Sequence, residues 1–135
     1  MKKVLTFGVY DILHLGHINL FRKAKLLGDS LLVAVQDGNF IKKYKPEAQM
    51  VNSTDERIMM VASIRYVDDV IIYRDVDEDI KNIEFDVFAK GPDQNHAGFR
   101  RAVEWCEQNG KTVVTIPRTE GISSTMLREF LDINQ

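Results

Sequence analysis

Short apolar runs alternate along the chain with longer segments in which apolar residues recur every three or four positions. Runs rich in β-branched and other apolar residues predict five strands, at 3–7, 31–35, 70–72, 87–89 and 112–116. Helical spacing predicts helices at 16–27, from the capping box 53–56 onwards, around 99–106, and after Ser123 or Ser124. Because strands alternate with helices across short connections, the sequence predicts an α/β fold with a doubly wound parallel five-stranded sheet.

Three local features refine these predicted elements. Gly28 follows the first helix, at a position where a left-handed backbone is common for glycine. The polar stretch 42–52 predicts a loop, and the acidic stretch 75–79 predicts a solvated loop or a helix start. No internal repeat or Pro/Gly/Ser-rich linker divides the sequence. The 135 residues therefore predict a single domain, 1–135.

Charge and composition narrow the functional classes. Lys and Arg number 18 against 20 Asp and Glu, so the net charge is −2 and argues against a general nucleic-acid binder, which needs a basic excess. The single Cys cannot form an internal disulfide. No apolar run approaches the length of a membrane span, and charged residues come too early for a signal peptide. We therefore expect a soluble cytoplasmic protein.

Candidate chemistry is concentrated in the loop after the first predicted strand, 8–17. This loop is neither a G-x-G-x-x-G dinucleotide fingerprint nor a P-loop. His14 and His17 flank Gly16 at the expected start of a helix, where free N–H groups and the helix dipole attract phosphate. The alternative is that the two histidines cap the helix or bind a metal. Zinc requires three or four ligands, and beyond this pair the sequence has only His96.

A second candidate anion site lies near the C-terminus. Arg118 follows the predicted strand 112–116, at the sheet edge where open α/β folds bind ligands. Ser123, Ser124 and Thr125 place hydroxyl and N–H groups at the start of the last predicted helix. Simple N-capping is the alternative for these three residues, and it is compatible with phosphate binding.

Three segments carry a resemblance to a known family. Segment 6–17 (TFGVYDILHLGH) resembles the H-x-G-H signature of the cytidylyltransferase branch of the nucleotidyltransferase superfamily, and 118–125 (RTEGISST) resembles its R-T-x-G-I-S-[ST]-[ST] signature. Segment 65–70 resembles a third recurring segment, and the similarity runs from residue 3 to about residue 130. The resemblance implies a Rossmann-like nucleotidyltransferase fold. It also implies transfer of CMP from CTP to a small phosphorylated alcohol, with glycerol 3-phosphate expected first.

The resemblance implies roles for particular residues. Catalytic roles are implied for His14, His17, Lys45 and Arg118. Nucleotide contacts are implied for Phe7, Gly8, Val9, Tyr10, Gly16, Arg118, Thr119, Gly121, Ile122, Ser123, Ser124 and Thr125. Acceptor contacts are expected from Lys43, Arg57, Arg65 and Asp93. Either Lys43 or Lys45 can be the active-site lysine, and Lys45 is favoured.

A magnesium ion and a second subunit are also implied by the resemblance. The Mg²⁺ is expected to arrive bound to the nucleotide phosphates, with no dedicated metal ligands in the protein. The segment 65–68 is expected at the interface of a homodimer. No contact with nucleic acid or membrane is expected.

The region after the fourth predicted strand departs from the family pattern. Gly91, Pro92 and Asp93 replace the G-D-D of similar enzymes, and 94–98 replaces a Trp-bearing segment. Because the acceptor alcohol is expected to be read here, other acceptors remain open: phosphocholine, phosphoethanolamine, or a sugar or polyol phosphate. Adenylyl transfer from ATP, or a non-catalytic nucleotide-binding module, are further alternatives. Asp93 is expected to accept from an acceptor hydroxyl or to face Mg²⁺.

Overall fold

Five parallel strands form one sheet in the computed structural model, which describes residues 1–119. The strands are β1 Lys3–Gly8, β2 Ser30–Gln36, β3 Asp69–Tyr73, β4 Val87–Lys90 and β5 Thr112–Thr115. Their order in the sheet is β3-β2-β1-β4-β5, and every neighbouring pair is parallel. The predicted doubly wound α/β fold is confirmed.

Helices connect the strands and cover the sheet. They are α1 Leu15–Lys25, α2 Gly38–Tyr44, α3 Thr54–Ala62, α4 Val76–Asp79 and α5 Ala97–Gln108, with a 3-10 turn at Ile80–Asn82. The predicted capping box opens α3: Glu56 N–H donates to Ser53 Oγ at 3.1 Å, and Ser53 N–H donates to Glu56 Oε1 at 2.8 Å.

The core has one layer on each face of the sheet. Alternate side chains of β1 point to opposite layers: Val4 packs with Phe21 of α1, while Phe7 packs with Phe99 of α5. The middle of β2 is apolar without interruption because the strand is covered on both faces. The polar ends of the strands, and the loops that follow them, are left to form a site.

A gap opens at the carboxyl edge of the sheet. Strand β1 pairs with β2 along its whole length, from Lys3–Ser30 to Gly8–Val35. Its pairing with β4 covers only Val4–Val87 and Leu5–Phe88. Strand β2, which follows β1 in the chain, lies on one side of β1, and β4 lies on the other side. The gap between β1 and β4 is therefore the topological switch point, where open α/β sheets bind ligands.

Two expectations about connections are wrong. Residues 42–44 belong to helix α2 and not to a loop. Gly28 does not adopt a left-handed backbone; a Cβ there would lie 2.7 Å from the carbonyl oxygen of Lys2, so close packing explains the glycine. The left-handed glycine is Gly110, with φ of 71°, where α5 turns toward β5.

The acidic stretch 75–79 forms the start of helix α4, which is the second of the two predicted alternatives, a solvated loop or a helix start. The stretch is not fully solvated. Val76 and Asp77 are buried in α4. The predicted helix after Ser123 or Ser124 lies outside the described residues. In the part of the chain that the structure describes, no helix is long and apolar enough to cross a membrane.

Candidate active site

A crevice of about 360 Å³ lies over the gap between β1 and β4 and extends to the loop after β5. The structure brings together most of the residues that the sequence selects for the nucleotide. Those that line the crevice are Phe7, Gly8, Val9, Tyr10, His14, Gly16, His17, Arg118 and Thr119, and Asp93, which the sequence selects for the acceptor, lines it as well. Gly121, Ile122, Ser123, Ser124 and Thr125 lie outside the described residues.

His14 and His17 cap helix α1 with their own rings. The N–H of Gly16 donates to His14 Nδ1 at 3.0 Å, and the N–H of His14 donates to His17 Nδ1 at 3.2 Å. The two rings stack with centroids 3.9 Å apart. A neutral imidazole that accepts at Nδ1 carries its hydrogen at Nε2. Each ring therefore keeps one N–H donor that the cap does not use.

Burial keeps both imidazoles neutral. Loss of hydration and, after it, the neighbouring His14 together lower the pKa of His17 to about 4. The pKa of His14 is also lowered, first by burial and then by the positive charge of Arg118. At neutral pH the pair is uncharged, and an arriving polyanion would raise both pKa values. The pair can donate hydrogen bonds to phosphate oxygens in either state.

The Tyr10 side chain packs against the His17 ring of this pair. Its backbone is left-handed, with φ of 56°, and its ring meets the ring of His17 edge to face at 5.4 Å. The same ring covers Gly8, where an added Cβ would lie 2.4 Å from it. Gly8 is therefore required for the Tyr10 ring to reach the position that braces His17.

Asp11 ties the histidine loop to the segment before α3. Its carboxylate accepts from the N–H groups of Val51, at 2.9 Å, and Asn52, at 2.8 Å. The Asn52 side chain returns a hydrogen bond to the Asp11 carbonyl. Through these contacts Asp11 orients the histidine loop.

The loop after β5 closes the crevice from the other side. Arg118 forms an ion pair with Asp93 at 3.2 Å, with both side chains largely exposed. The Asn19 side chain of α1 donates to the Thr119 hydroxyl at 3.0 Å, which joins the helix to this loop. Sequence reasoning missed Asn19, although it lies two residues past His17 on the helix that the motif begins.

The two acceptor arginines expected from the sequence occupy different environments, and neither lines the crevice. Arg57 is fully buried. Its guanidinium donates to the carbonyl oxygens of Val9 and Gln36, both at 2.8 Å, and to the Thr54 hydroxyl at 3.1 Å. This placement favours a positioning role for Arg57 in place of the expected acceptor contact. Arg65 lies past the end of α3, exposed, with its guanidinium 5.9 Å from the Tyr66 ring centroid.

A second crevice, of about 530 Å³, adjoins the first. The two crevices share four residues: Gly8, Val9, Asp93 and Gln94. The charged side chains that line the second crevice are the cations Lys45, Arg74 and Arg101 and the carboxylates Asp75 and Asp93, and His96 lies beside them. Lys45 lies directly after α2 and lines this crevice, whereas Lys43 is exposed and lines neither. Of the two predicted lysines, the structure therefore places Lys45 at a candidate site.

His96 caps α5 by accepting the N–H of Gly98 at 3.1 Å. Its pKa is lowered by burial and then by the positive charge of Lys45. Within residues 1–119, no cluster of three or more His, Cys, Asp or Glu side chains could hold a metal ion.

These features define a class of protein: an α/β protein with a crevice at its switch point, between a histidine-capped helix and an arginine. The match to a family model makes the assignment specific. Residues 5–130 match the model described as cytidylyltransferase-like, and the chain belongs to that family. The predicted resemblance, and the predicted enzyme class of nucleotidyltransferases, are confirmed.

Individual relatives agree with this assignment. The chain is 39% identical over 132 residues to a glycerol-3-phosphate cytidylyltransferase of Bacillus subtilis, covering 96% of both chains. It is 43% identical over 96 residues to an FAD synthase of Pyrococcus abyssi, covering 69% of this chain and 64% of that one. Among solved structures, the lipopolysaccharide core biosynthesis protein from Thermoplasma volcanium has a TM-score of 0.71 at 26% identity, covering 88% of this chain and 97% of that chain.

Proposed function

We propose that this protein transfers CMP from CTP to a small phosphorylated alcohol, with glycerol 3-phosphate as the first acceptor to test, and releases pyrophosphate. The observation that carries the proposal is the pair of neutral, stacked imidazoles at the start of α1, with both Nε2 hydrogens unused by the cap. The full-length similarity to a glycerol-3-phosphate cytidylyltransferase supports the choice of nucleotide and acceptor.

The chemistry needs positioned donors more than a general base. An oxygen of the acceptor phosphate attacks the α-phosphorus of CTP, and the bond from that phosphorus to the leaving pyrophosphate breaks. The attacking phosphate is already ionised at neutral pH, so no side chain has to remove a proton. The Nε2–H groups of His14 and His17 and the guanidinium of Arg118 stabilise charge on the transferring and leaving groups.

The acceptor phosphate fits the second crevice, which opens onto the first beside Gly8 and Val9. Lys45 and the arginines there can neutralise the acceptor phosphate as it approaches the nucleotide. The two anions then meet at the edge that both crevices share. Such an arrangement lowers the repulsion between them and aligns the attack.

Magnesium is proposed as a partner of the nucleotide. The first crevice is lined by two carboxylates, those of Asp11 and Asp93, and the Asp11 carboxylate already accepts from backbone N–H groups. This donor set supports a metal ion whose ligands are mainly phosphate and water oxygens. Asp93 is the residue that would face the ion. When bound, Mg²⁺ would neutralise the triphosphate and favour departure of pyrophosphate.

Adenylyl transfer from ATP is the second candidate. The observation that favours it is the 43% identity over 96 residues to an FAD synthase, an enzyme whose product is an adenine dinucleotide. A screen of CTP, ATP, UTP and GTP against glycerol 3-phosphate, polyol phosphates, phosphocholine, phosphoethanolamine and FMN, with pyrophosphate as the readout, decides between them. Product from ATP alone would replace CTP in the proposal, and no product from any pair would overturn it.

Two variants of His17 test the site itself. His17→Ala should lower kcat by about 100- to 1,000-fold, because a donor to the transition state is lost. His17→Asn can still accept the N–H of His14 but does not place a donor at the Nε2 position. It should fold like the wild type and be nearly as slow as His17→Ala. Wild-type turnover in His17→Asn would show that the histidine serves only as a cap.

A homodimer in the cytoplasm is proposed alongside this activity. Strand β3 lies at one edge of the sheet and exposes Ile72, and the segment 65–68 precedes it on the same surface. An unpaired strand edge with an exposed apolar side chain suits contact with a second copy. Sedimentation velocity on the purified protein would give the mass of the particle directly, and a monomer at micromolar concentration would overturn the dimer.

A further inference from the structure

The carboxyl ends of β1 and β4 are joined by a side chain where a sheet would normally use its backbone. Pairing between these strands stops at Leu5–Phe88, although both strands continue beyond that point. By contrast, the pairing of β1 with β2 continues to Gly8–Val35, and the pairing of β4 with β5 continues to Lys90–Thr115. The two central strands therefore separate at the switch point, and the two crevices meet above this separation.

Gln94 spans the separation. Its Nε2 donates to the carbonyl oxygen of Phe7 on β1 at 2.6 Å. Its Oε1 accepts the N–H of Gly91, the first residue after β4, at 3.1 Å. Its own backbone N–H donates to the Gly91 carbonyl at 3.2 Å, which closes a tight turn. The side-chain amide thus joins the two strand ends with one hydrogen bond to each.

The position of Gln94 links this contact to the reaction. Gln94 is one of the four residues that line both crevices. The other three are Gly8 and Val9, which follow Phe7 in the chain, and Asp93, which lies between Gly91 and Gln94. Because the end of β1 and the loop after β4 line both crevices, the distance between these two segments affects how a ligand in one crevice is placed relative to a ligand in the other. A fixed distance matters here because the attacking and transferring phosphates must meet in line.

We propose that Gln94 is a positioning residue that fixes the spacing between the nucleotide and acceptor crevices. The inference rests on the proposed function, because it assigns one phosphate compound to each crevice. Gln94 acts on the reaction through the backbone of Phe7 and Gly91, not by contact with the reacting atoms. A side-chain bridge lets the sequence adjust this spacing with one substitution, which a backbone ladder would not allow.

The test uses Gln94→Met, which is of similar length but makes neither hydrogen bond, and Gln94→Glu, which keeps the acceptor for Gly91 and loses the donor to Phe7. Both variants should lower kcat by about 10- to 100-fold, while KM for CTP changes by less than about threefold. The matched control for charge is Gln108→Glu, exposed at the end of α5 and lining neither crevice, which should leave both constants near the wild-type values.

Amide hydrogen exchange gives a readout that does not depend on turnover. In Gln94→Met the Gly91 amide loses its acceptor and should exchange faster, whereas the Ile116 amide, bonded to Lys90 at 2.8 Å, should not change. Faster exchange at Gly91 with wild-type kcat would overturn the inference. Slower turnover with exchange raised across the whole sheet would also overturn it, because the residue would then act through global stability.

The proposed function can fail separately. If the wild type releases no pyrophosphate with any nucleotide and acceptor pair, that function is excluded before any variant is made. The bridge itself is then decided by the exchange at Gly91: a local increase in Gln94→Met supports a fixed strand spacing, and no increase overturns it.

Discussion

The histidine pair performs two tasks with two different ring atoms. Nδ1 of each imidazole satisfies a backbone N–H at the start of α1, which is the task that Ser, Thr or Asp usually performs at such a position. A hydroxyl or carboxyl group used in this way would leave no N–H donor for a ligand. The imidazole ring has a second nitrogen on its far side, so the cap that orients the ring also aims Nε2–H at the crevice. The same two residues thereby stabilise the helix and serve the proposed phosphate binding.

Arg57 is buried and Arg65 is exposed, so we expect the same substitution to change the free energy of unfolding differently at the two positions. Arg57→Met should lower the free energy of unfolding by about 3 kcal/mol, because the buried carbonyls of Val9 and Gln36 lose their donor. Arg65→Met, at an exposed position, should change it by less than about 0.5 kcal/mol. Urea unfolding of the two variants checks the pair. Equal losses would show that the guanidinium of Arg57 contributes no more than a surface side chain.

Helix α2 distinguishes the two candidate lysines by where it ends. Lys43 lies in its last turn and is exposed, while Lys45 follows the helix and reaches the second crevice. Lys45→Ala should therefore raise KM for the acceptor by about tenfold, the loss of one charge-assisted contact with phosphate. Lys43→Ala is the matched control and should behave like the wild type. Steady-state kinetics with the acceptor varied at saturating CTP measures both, and the reverse ranking would move the acceptor site.

The start of α4 gives a pH dependence with a definite sign. The nearby carboxyl of Asp77 and, after it, burial together raise the pKa of Asp75 to about 6. At pH values between about 3.9, the pKa of an Asp in the unfolded chain, and about 6, the folded protein binds more protons than the unfolded protein. Asp75 therefore favours folding at low pH, and this contribution to stability is lost as the pH rises through about 6. Asp75→Asn cannot ionise and should be more stable than the wild type at pH 7.5 by about 1–2 kcal/mol.

Thermal and urea unfolding of Asp75→Asn at pH 4.5 and pH 7.5 measures this difference. The advantage of the variant should be small at the lower pH and appear at the higher one. Glu78→Gln, on the exposed face of the same helix, is the control and should shift the free energy of unfolding by less than about 0.5 kcal/mol. An advantage of Asp75→Asn that is equal at both pH values would show that the carboxyl pair does not control it.

The elements that the sequence predicts well are those whose pattern comes from burial. The middle of β2 is apolar because it is covered on both faces, so its pattern survives in the sequence. Helix α2 buries none of its residues, and its last turn begins the polar run from Lys42, which is why a loop is expected from residue 42 onwards. The Gln94 bridge is not visible either, because it depends on the separation of two strands that are about 80 residues apart in the chain. The histidine part of the candidate phosphate site could be proposed from the sequence because His14 and His17 lie in one short motif.

The whole molecule carries a net charge of −2, yet its two joined crevices collect the cations Arg118, Lys45, Arg74 and Arg101. A triphosphate should therefore respond to the local charge and not to the total. Raising the ionic strength from about 0.05 M to about 0.5 M should raise KM for CTP several-fold, since salt screens exposed charges, and kcat should change little. Arg118→Gln should show a weaker salt dependence, whereas Arg100→Gln, exposed on α5 away from both crevices, should keep the wild-type slope. The same slope in all three proteins would show that Arg118 does not attract the nucleotide, and a KM that falls with salt would show that the net negative charge dominates.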